Sequence, residues 1–368
     1  MQNNQHPFYI KSTTILFGLI LLCYIMINLQ DILVPLAFAI IISILLNPLF
    51  SRLVKARIPR MLSIVITLLF AIIIISGIFY LLSSQIANFG ETLPALQKKF
   101  SQLLIQLQQW LQSSFGLTIK KQVEILNDAL NSSKAFVGQT LGTALGILGI
   151  VFLLPVYIFL LLFYKTLIVN FLYEIFAEEN SKNVGAILSQ TKSAVQSYMV
   201  GLLLEAIVVA ILNSTALLIL GVDYAILIGV IGAILNMLPY IGGIIAIALP
   251  VLMATITKDG YSTQLGIIGA YALIQFIDNN ILVPRIVSSK VQINALISIL
   301  VVLLGGALWG FSGMFLSIPF IAVVKIVFDR IDDLRPWGKL LGDEVPTRHK
   351  GQIWGRKKKV SIVDKMVD

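Results

Sequence analysis

The residue of this chain that is best placed for chemistry is Glu205, a carboxylate inside a long apolar run. Residues 200–220 are long and apolar enough to cross a membrane, and Glu205 is the one charged residue among them. An ionisable group at membrane depth costs at least a few kcal/mol and therefore normally faces a partner or water. Glu205 is thus a candidate carrier of a proton or a cation. The alternative is a structural position near the cytoplasmic membrane surface, because Glu205 lies about one helical turn into the predicted span.

A second polar cluster ends the apolar segment 264–283 and contains Asp278, Asn279, Asn280 and Arg285. Asp278 and Arg285 are seven residues apart, which places them on one helix face if the helix continues that far. They could then neutralise each other as a structural ion pair. The other interpretation is that Asp278, like Glu205, couples the protein to a proton or cation gradient.

Enzymatic, metal and nucleic-acid functions have little support in the residues. Cys23 is the only cysteine, and His6 and His349 lie in polar tails, so neither an intrachain disulfide nor a metalloprotease HExxH motif is present. The segment GFSGM at 310–314 lacks the last glycine of a GxSxG serine hydrolase motif. The net charge of +9 comes from short loops and the carboxy-terminal tail, where membrane orientation and anionic lipid explain it. We therefore predict no enzyme, no cofactor or metal, and no nucleic-acid partner.

Composition places these residues in a membrane. The 368 residues are 58% hydrophobic and 12% charged, about half the charge of a soluble protein. Lipid offers the backbone no hydrogen bonds, so apolar runs of this length are expected to be helical. The predicted class is an all-α polytopic membrane protein.

One overlong apolar stretch, residues 221–257, has helix-breaking residues at its centre. As a single helix, its uncharged part would be roughly 50 Å long, against a hydrocarbon core of about 30 Å. The central residues that stop a helix or offer hydrogen bonds are Asn236, Pro239, Tyr240, Gly242 and Gly243. We expect two half-helices that meet at an elbow, where freed backbone either lines a wet cavity or is buried by protein.

A second overlong stretch, residues 295–328, has no charged side chain before Lys325. Its centre is the segment GGALWGFSG, which contains Gly305, Gly306, Gly310 and Gly313. This composition predicts a second elbow. A small polar solute is predicted to bind between the two elbows.

Charge decides the expected topology. Six full spans are predicted near residues 15–27, 32–49, 62–82, 145–163, 200–220 and 264–283. The basic loop 52–60 is expected in the cytoplasm by the positive-inside rule, together with both termini. If each overlong stretch is a re-entrant hairpin, Arg285, Lys290 and Lys325 lie on that same side. Six spans with two hairpins therefore satisfy the rule better than the alternative, eight simple spans.

The remaining segments predict two sets of amphipathic helices. Apolar residues recur in steps of three and four from Ile86 to Trp110, and Pro94 in this run predicts a kink or an early break. This outer insert is either a helical cap that packs on itself or a self-association surface. Residues 165–198 suit two helices at the cytoplasmic face. Close helix packing is expected at the glycines spaced by four, Gly138, Gly142 and Gly146.

The predicted organisation thus has six parts. They are 1–84 with the first three spans, the outer insert 85–143, the fourth span 144–164, the cytoplasmic helices 165–198, the carboxy-terminal membrane core 199–330 with both broken helices, and the basic tail 331–368.

Three segments of the carboxy-terminal half resemble the autoinducer-2 exporter family of predicted permeases. They are GVDYAILIGVIGAILNMLPYIGG at 221–243, QFIDNNILVPRIV at 275–287 and LLGGALWGFSGMFLSIPFIAVVKIV at 303–327. The resemblance implies transport across a bacterial inner membrane by a homo-oligomer. It implies export of the signalling molecule autoinducer-2 for some members and sodium/proton antiport for others. One departure is visible, because Asn294-Ala295 stands where a His-Pro pair is expected.

The sequence and the resemblance together predict a gradient-driven permease that exports a small polar solute resembling autoinducer-2, in contact with the lipid bilayer. A sodium (or lithium)/proton antiporter is the alternative. A non-transporting oligomeric membrane scaffold is the third possibility.

Overall fold

The computed structural model describes residues 7–115, 144–175, 181–238, 242–258, 260–287 and 293–343. These ranges are helical and contain no β-strand. The helices are α1 (Phe8–Asn28), α2 (Gln30–Lys55), α3 (Arg60–Phe115), α4 (Ala144–Phe163), α5 (Lys165–Ile175), α6 (Ser181–Ile219), α7 (Ala225–Asn236), α8 (Gly242–Thr257), α9 (Ser262–Ile277), α10 (Ala295–Arg330) and α11 (Arg335–Leu341). A π-helical segment, Asp278–Val287, continues α9, and a short 3-10 turn, Asp332–Leu334, joins α10 to α11.

The helices have the length and surface of membrane spans. Five are long and apolar enough to cross a bilayer, or six if α4 and α5, which meet at a 62° bend, form one span. Large apolar side chains on the outside of the bundle are exposed, as on α3, where Ile73 is 67% exposed and Leu81 is 76% exposed. A lipid-facing surface explains such a belt. The all-α polytopic membrane fold that the sequence predicts is therefore confirmed.

α6 lies at the centre of the bundle. It packs against α2, α7, α9, the π-helical segment and α10. Its middle contributes Tyr198, Met199 and Leu202 to a buried cluster that also contains Ile41 of α2 and Ile318 of α10. Side chains on α6 therefore face most of the carboxy-terminal half.

The first overlong stretch forms a helical hairpin from α7 and α8. A Cβ placed on Gly232 of α7 would lie 3.6 Å from the Cβ of Ala246 in α8, so the two helices pack closely. Gly229 packs directly on the backbone of Ser214, so α7 returns alongside α6. The hairpin confirms the predicted half-helices, while Pro239 and Tyr240 of the elbow lie outside the described residues.

The second overlong stretch also folds back on itself. The helical geometry of α10 breaks at Trp309 (φ −134°, ψ 21°) and Gly310 (φ 58°, ψ −138°). Ser317 Oγ donates a hydrogen bond of 2.8 Å to the carbonyl of Val301, 16 residues earlier. That spacing would separate the two residues by about 24 Å along a straight helix. α10 is therefore a hairpin rather than a single crossing, although its length and composition alone would suit a span.

The two hairpins approach the middle of α6 from opposite ends. The first runs back from the Ile219 end, where Gly229 contacts Ser214. The second is anchored near the Ser181 end, where Arg330 Nε donates a 3.3 Å hydrogen bond to Gln190 Oε1. The first hairpin thus ends beside the middle of α6, where Asn236 contacts Asp278, whereas the elbow of the second, at Trp309, lies against the end of α1.

Two predicted segment boundaries lie inside continuous helices. α3 runs from the membrane segment through Pro94 to Phe115, so the break predicted at Pro94 is absent. The residues after Pro94, ALQKKFSQLL, are mostly strong helix formers and restore the helix beyond the lost hydrogen bond. α6 likewise joins the second predicted cytoplasmic helix to the span 200–220. The remaining insert and two of the packing glycines, Gly138 and Gly142, lie outside the described residues, whereas Gly146 is in α4.

Candidate functional site

The structure brings the two carboxylates singled out by sequence, Glu205 and Asp278, together in the bundle interior. Glu205 projects from the middle of α6, and Asp278 begins the π-helical segment. Glu205 is 6% exposed, Asp278 is 2% exposed, and the two carboxyl groups lie within hydrogen-bonding reach of each other. This acid pair is the centre of the candidate site.

Two amide side chains support one oxygen of Asp278. Asn236 Nδ2, at the end of α7, donates a 2.9 Å hydrogen bond to Asp278 Oδ2. Gln275 Nε2 lies 3.4 Å from the same oxygen and 3.2 Å from Asn279 Oδ1. Asp278 Oδ1 is buried and accepts no hydrogen bond from an amide, hydroxyl or backbone N–H of the described residues. One oxygen of Asp278 is therefore well satisfied, and the other lacks such a donor.

The π-helical turn explains the orientation of the second polar cluster. Asp278 points into the bundle, whereas Asn279 and Asn280 are exposed, and Asn280 Nδ2 donates to the carbonyl of Phe276 at 2.8 Å. The predicted ion pair between Asp278 and Arg285 does not form, because Arg285 is exposed and Asp278 is buried. Hydrogen bonds in a π-helix run from i to i+5, so residues seven apart no longer share a face as they do in an α-helix.

A cavity of about 890 Å³ lies beside the acid pair. The wall that contains the acid pair is formed by Glu205, Asn236, Gly243, Gln275, Asp278 and Asn279. Its remaining polar lining comes from Tyr198, Tyr271, Ser298 and Asp343. The cavity therefore extends from the tip of the first hairpin to the beginning of α10 and the end of α11.

Glycines let the tip of the first hairpin approach this site. A Cβ on Gly243 would collide with Gln275 Oε1 and lie 3.3 Å from Asn236 Oδ1. A Cβ on Gly242 would collide with the carbonyl of Leu235. Both glycines are thus required by the close packing around the amides that support Asp278.

The glycines of the second elbow have a different position. Gly305 packs on the backbone of Gly313, and Gly306 packs on Met314, so they join the two arms of α10. The indole Nε1 of Trp309, beside Gly310, donates a 2.9 Å hydrogen bond to the carbonyl of Met26. Sequence placed these glycines on the solute pathway, whereas the structure places them outside the lining of the 890 Å³ cavity.

Sequence reasoning missed several lining residues. Gln275 had a usable signal, because it lies one helical turn before Asp278 and so shares its face. Asp343 had none, because it follows the last predicted hydrophobic stretch and reaches the cavity only through tertiary packing. Tyr198 and Tyr271 belong to apolar runs in which a tyrosine does not stand out.

Asn294 connects the beginning of α10 to α11 at the far end of the cavity. Its Oδ1 accepts a hydrogen bond from Ile297 N at 2.9 Å and so caps the helix. Its Nδ2 donates to the carbonyls of Leu340 and Gly342 at 2.7 and 3.1 Å. Asn294 therefore serves as both a helix cap and a tie, one turn from the lining residue Ser298.

Comparison with known proteins decides the family. The sequence profile of the AI-2E family transporter matches residues 14–333, most of the chain. This protein belongs to the AI-2E transporter family. Family membership, the apolar helices and the interior cavity agree with a membrane transporter for a small solute.

Similar proteins in three bacteria carry transport names. A putative transport protein of Haemophilus influenzae is 27% identical over 325 residues, which cover 85% of this chain and 90% of that protein. The AI-2 transport protein TqsA of Escherichia coli is 26% identical over 318 residues, with the same shares covered. The putative transport protein YrrI of Bacillus subtilis is 26% identical over 313 residues, covering 81% of this chain and 86% of that protein.

Proposed function

We propose that this AI-2E family transporter moves a small polar solute through the 890 Å³ cavity, driven by proton movement at the acid pair. The observation that carries the proposal is the contact between Glu205 and Asp278 on the wall of that cavity. The volume falls in the range of about 300–1,000 Å³ that is typical of small-molecule sites.

The acid pair is suited to hold one proton. Two carboxylates in contact repel each other, and burial removes the water that would screen them. A proton held between the two groups removes the repulsion and supplies the donor that Asp278 Oδ1 lacks. Movement of the first hairpin would displace Asn236 from Asp278 and change the affinity of the pair for that proton. Among the residues that the structure describes, the other ionisable groups lining the cavity are Tyr198, Tyr271 and Asp343.

Autoinducer-2 is the first solute to test, and export is the proposed direction. The support is the name of the Escherichia coli relative, an AI-2 transport protein, together with the resemblance of the three carboxy-terminal segments. At 26% identity, the shared architecture supports transport more strongly than it supports one solute.

The deciding experiment measures autoinducer-2 flux in proteoliposomes with pH and sodium gradients imposed separately. Glu205→Gln and Asp278→Asn should each reduce proton-driven flux by at least about tenfold, because each variant removes one of the two carboxyl groups that share the proton. Glu174→Gln is the control, because Glu174 is exposed on α5. Normal gradient-driven flux in both pair variants would rule out the coupling role.

The same measurement separates the alternatives. Proton movement triggered by sodium alone would favour the antiporter. A scaffold predicts no flux of any solute tested under either gradient.

We also propose a bacterial inner-membrane location with both termini in the cytoplasm. Basic residues gather at one end of the bundle, where Arg60 Nη2 donates to the carbonyl of Leu162 at 3.2 Å and Lys165 Nζ donates to Asn47 Oδ1 at 2.8 Å. Such an end is expected to face the cytoplasm.

A further inference from the structure

We infer that the cavity accepts uncharged or positively charged solutes that carry hydroxyl or amino groups, and that it rejects anions such as phosphate esters and carboxylates. This inference rests on the proposed transport function and deepens it by naming the chemical class of the solute.

The charge of the lining carries the inference. Three of the described lining residues carry carboxyl groups, namely Glu205, Asp278 and Asp343. None of the lining residues that the structure describes is Lys, Arg or His. With one proton on the acid pair, the pair still carries a negative charge, and no described basic side chain lines the cavity beside it. The described basic residues nearest the other carboxyl group, Lys325, Arg335 and Lys339, line a separate cleft that shares Asp343. An anion that reached the acid pair would therefore meet like charge, which is how a site rejects a ligand.

A buried polar group without a partner also limits which solutes fit the cavity. The hydroxyl of Tyr271 is buried beside the cavity and makes no hydrogen bond to the described residues, whereas Asp278 Oδ1 is kept for the proton shared with Glu205. The amides of Asn236 and Gln275 already donate to Asp278. Buried polar atoms without partners favour a ligand that can both donate and accept hydrogen bonds. A hydroxyl or amino group does so, whereas an ionised phosphate or carboxylate only accepts.

Charge selectivity can be measured without knowing the natural solute. The native cysteine is first removed by Cys23→Ser in the full-length protein. Two variants are then made in this background, Ser298→Cys and Ala272→Cys, each of which places one cysteine on the cavity wall. Each variant, in lipid nanodiscs, reacts with three methanethiosulfonate reagents of similar size: neutral hydroxyethyl, cationic trimethylammonioethyl and anionic sulfonatoethyl. Rates are divided by those of a free thiol in solution. Ser114→Cys, at the exposed end of α3, is the control.

The neutral and cationic reagents should modify the cavity cysteines at least about tenfold faster than the anionic reagent, with a smaller preference at Ser114→Cys. Adding Asp278→Asn and Asp343→Asn should reduce the preference, because both changes remove carboxylates from the lining. Equal cation and anion rates at both cavity positions would overturn the inference. Failure of all three reagents at both positions would also overturn it, because the cavity would then admit no water-soluble molecule.

The outcome is separable from the test of transport. A strong charge preference without flux in proteoliposomes would support the charge selectivity of the cavity and contradict the proposed transport. Flux of a solute, together with equal rates for the cationic and anionic thiol reagents, would support transport and contradict the charge selectivity.

Discussion

At the scale of single residues, the candidate site depends on neutral groups that surround charged ones. Asn236 donates the shortest hydrogen bond that the described residues make to Asp278, and Gly243 leaves room for that amide and for Gln275. Both residues lie at the tip of the first hairpin, so small changes there alter the acid pair directly. Two substitutions test this dependence.

Asn236→Asp should abolish transport. The change removes the 2.9 Å donor to Asp278 and adds a third carboxylate beside two buried ones, at a cost of about 1–3 kcal/mol or more. Flux in proteoliposomes and the melting temperature in detergent are the measurements, and both should fall. Asn280→Asp, on the exposed side of the same cluster, serves as the control. Equal behaviour of the two variants would contradict the role given to Asn236.

Gly243→Ala should lower flux and stability, although alanine normally favours a helix. The new Cβ would displace the side chain of Gln275, and with it a donor to Asp278 and Asn279. The matched change Gly269→Ala has open space at its Cβ and should be neutral or stabilising by up to about 1 kcal/mol. Thermal unfolding followed by size-exclusion chromatography compares the two, and a stabilised Gly243→Ala would refute the crowding argument.

At the scale of elements, the two hairpins and the tie at Asn294 determine the shape of the cavity. α10 is one continuous apolar stretch in sequence, yet its two arms are joined through Gly305, Gly313 and Ser317. Ala295, the first residue of α10, lines the cavity, and Asn294, the residue before it, is hydrogen-bonded to α11. Cross-linking and accessibility test these two features.

A cysteine pair from Val301→Cys and Ser317→Cys should be joined by a short thiol cross-linker in the Cys23→Ser background. The fold-back of α10 brings these residues into contact, whereas a straight helix would separate them by about 24 Å. Val65→Cys with Leu81→Cys has the same spacing on the continuous helix α3 and should remain unlinked. Mass spectrometry of the digested protein detects the cross-link. Absence of a link in the α10 pair would mean that α10 crosses the membrane once.

Asn294→Ala should open the far end of the cavity. It removes the hydrogen bonds to Leu340 and Gly342 and the helix cap at once. Asn294→Asp keeps a good cap but loses the donor to both carbonyls. If the tie closes the cavity, both variants should speed modification of Ser298→Cys by several-fold, measured with the neutral thiol reagent. Faster modification in the alanine variant alone would assign the effect to the cap.

At the scale of the whole molecule, charge orients the bundle. Tyr261, at the beginning of α9, and Trp337, on α11, are 80% and 59% exposed and lie at opposite predicted sides of the membrane. In the Cys23→Ser background, Tyr261→Cys should react with an impermeant maleimide in intact cells, whereas Trp337→Cys should react only after lysis. The reverse pattern would place the termini outside. Self-association stays a prediction.

The amino-acid sequence by itself determined the class of the protein and the breaks at the centres of its two longest apolar stretches. Apolar runs must be helical in lipid, and the glycine-rich centres of the two long stretches interrupt them locally, at Gly242 and at Trp309–Gly310. Glu205 and Asp278 were recognisable because buried charge is expensive wherever it occurs. These are properties of neighbouring residues, so a sequence displays them.

Only the tertiary structure decided which of these residues meet. Asp278 pairs with Glu205 and Asn236 rather than with Arg285, because a π-helical turn rotates it inward. Asp343 reaches the cavity, and the glycines of the second elbow do not line it, because the packing of separate helices around α6 sets those positions. Contacts between distant segments depend on helix direction and on close packing in three dimensions, which spacing along the chain does not contain.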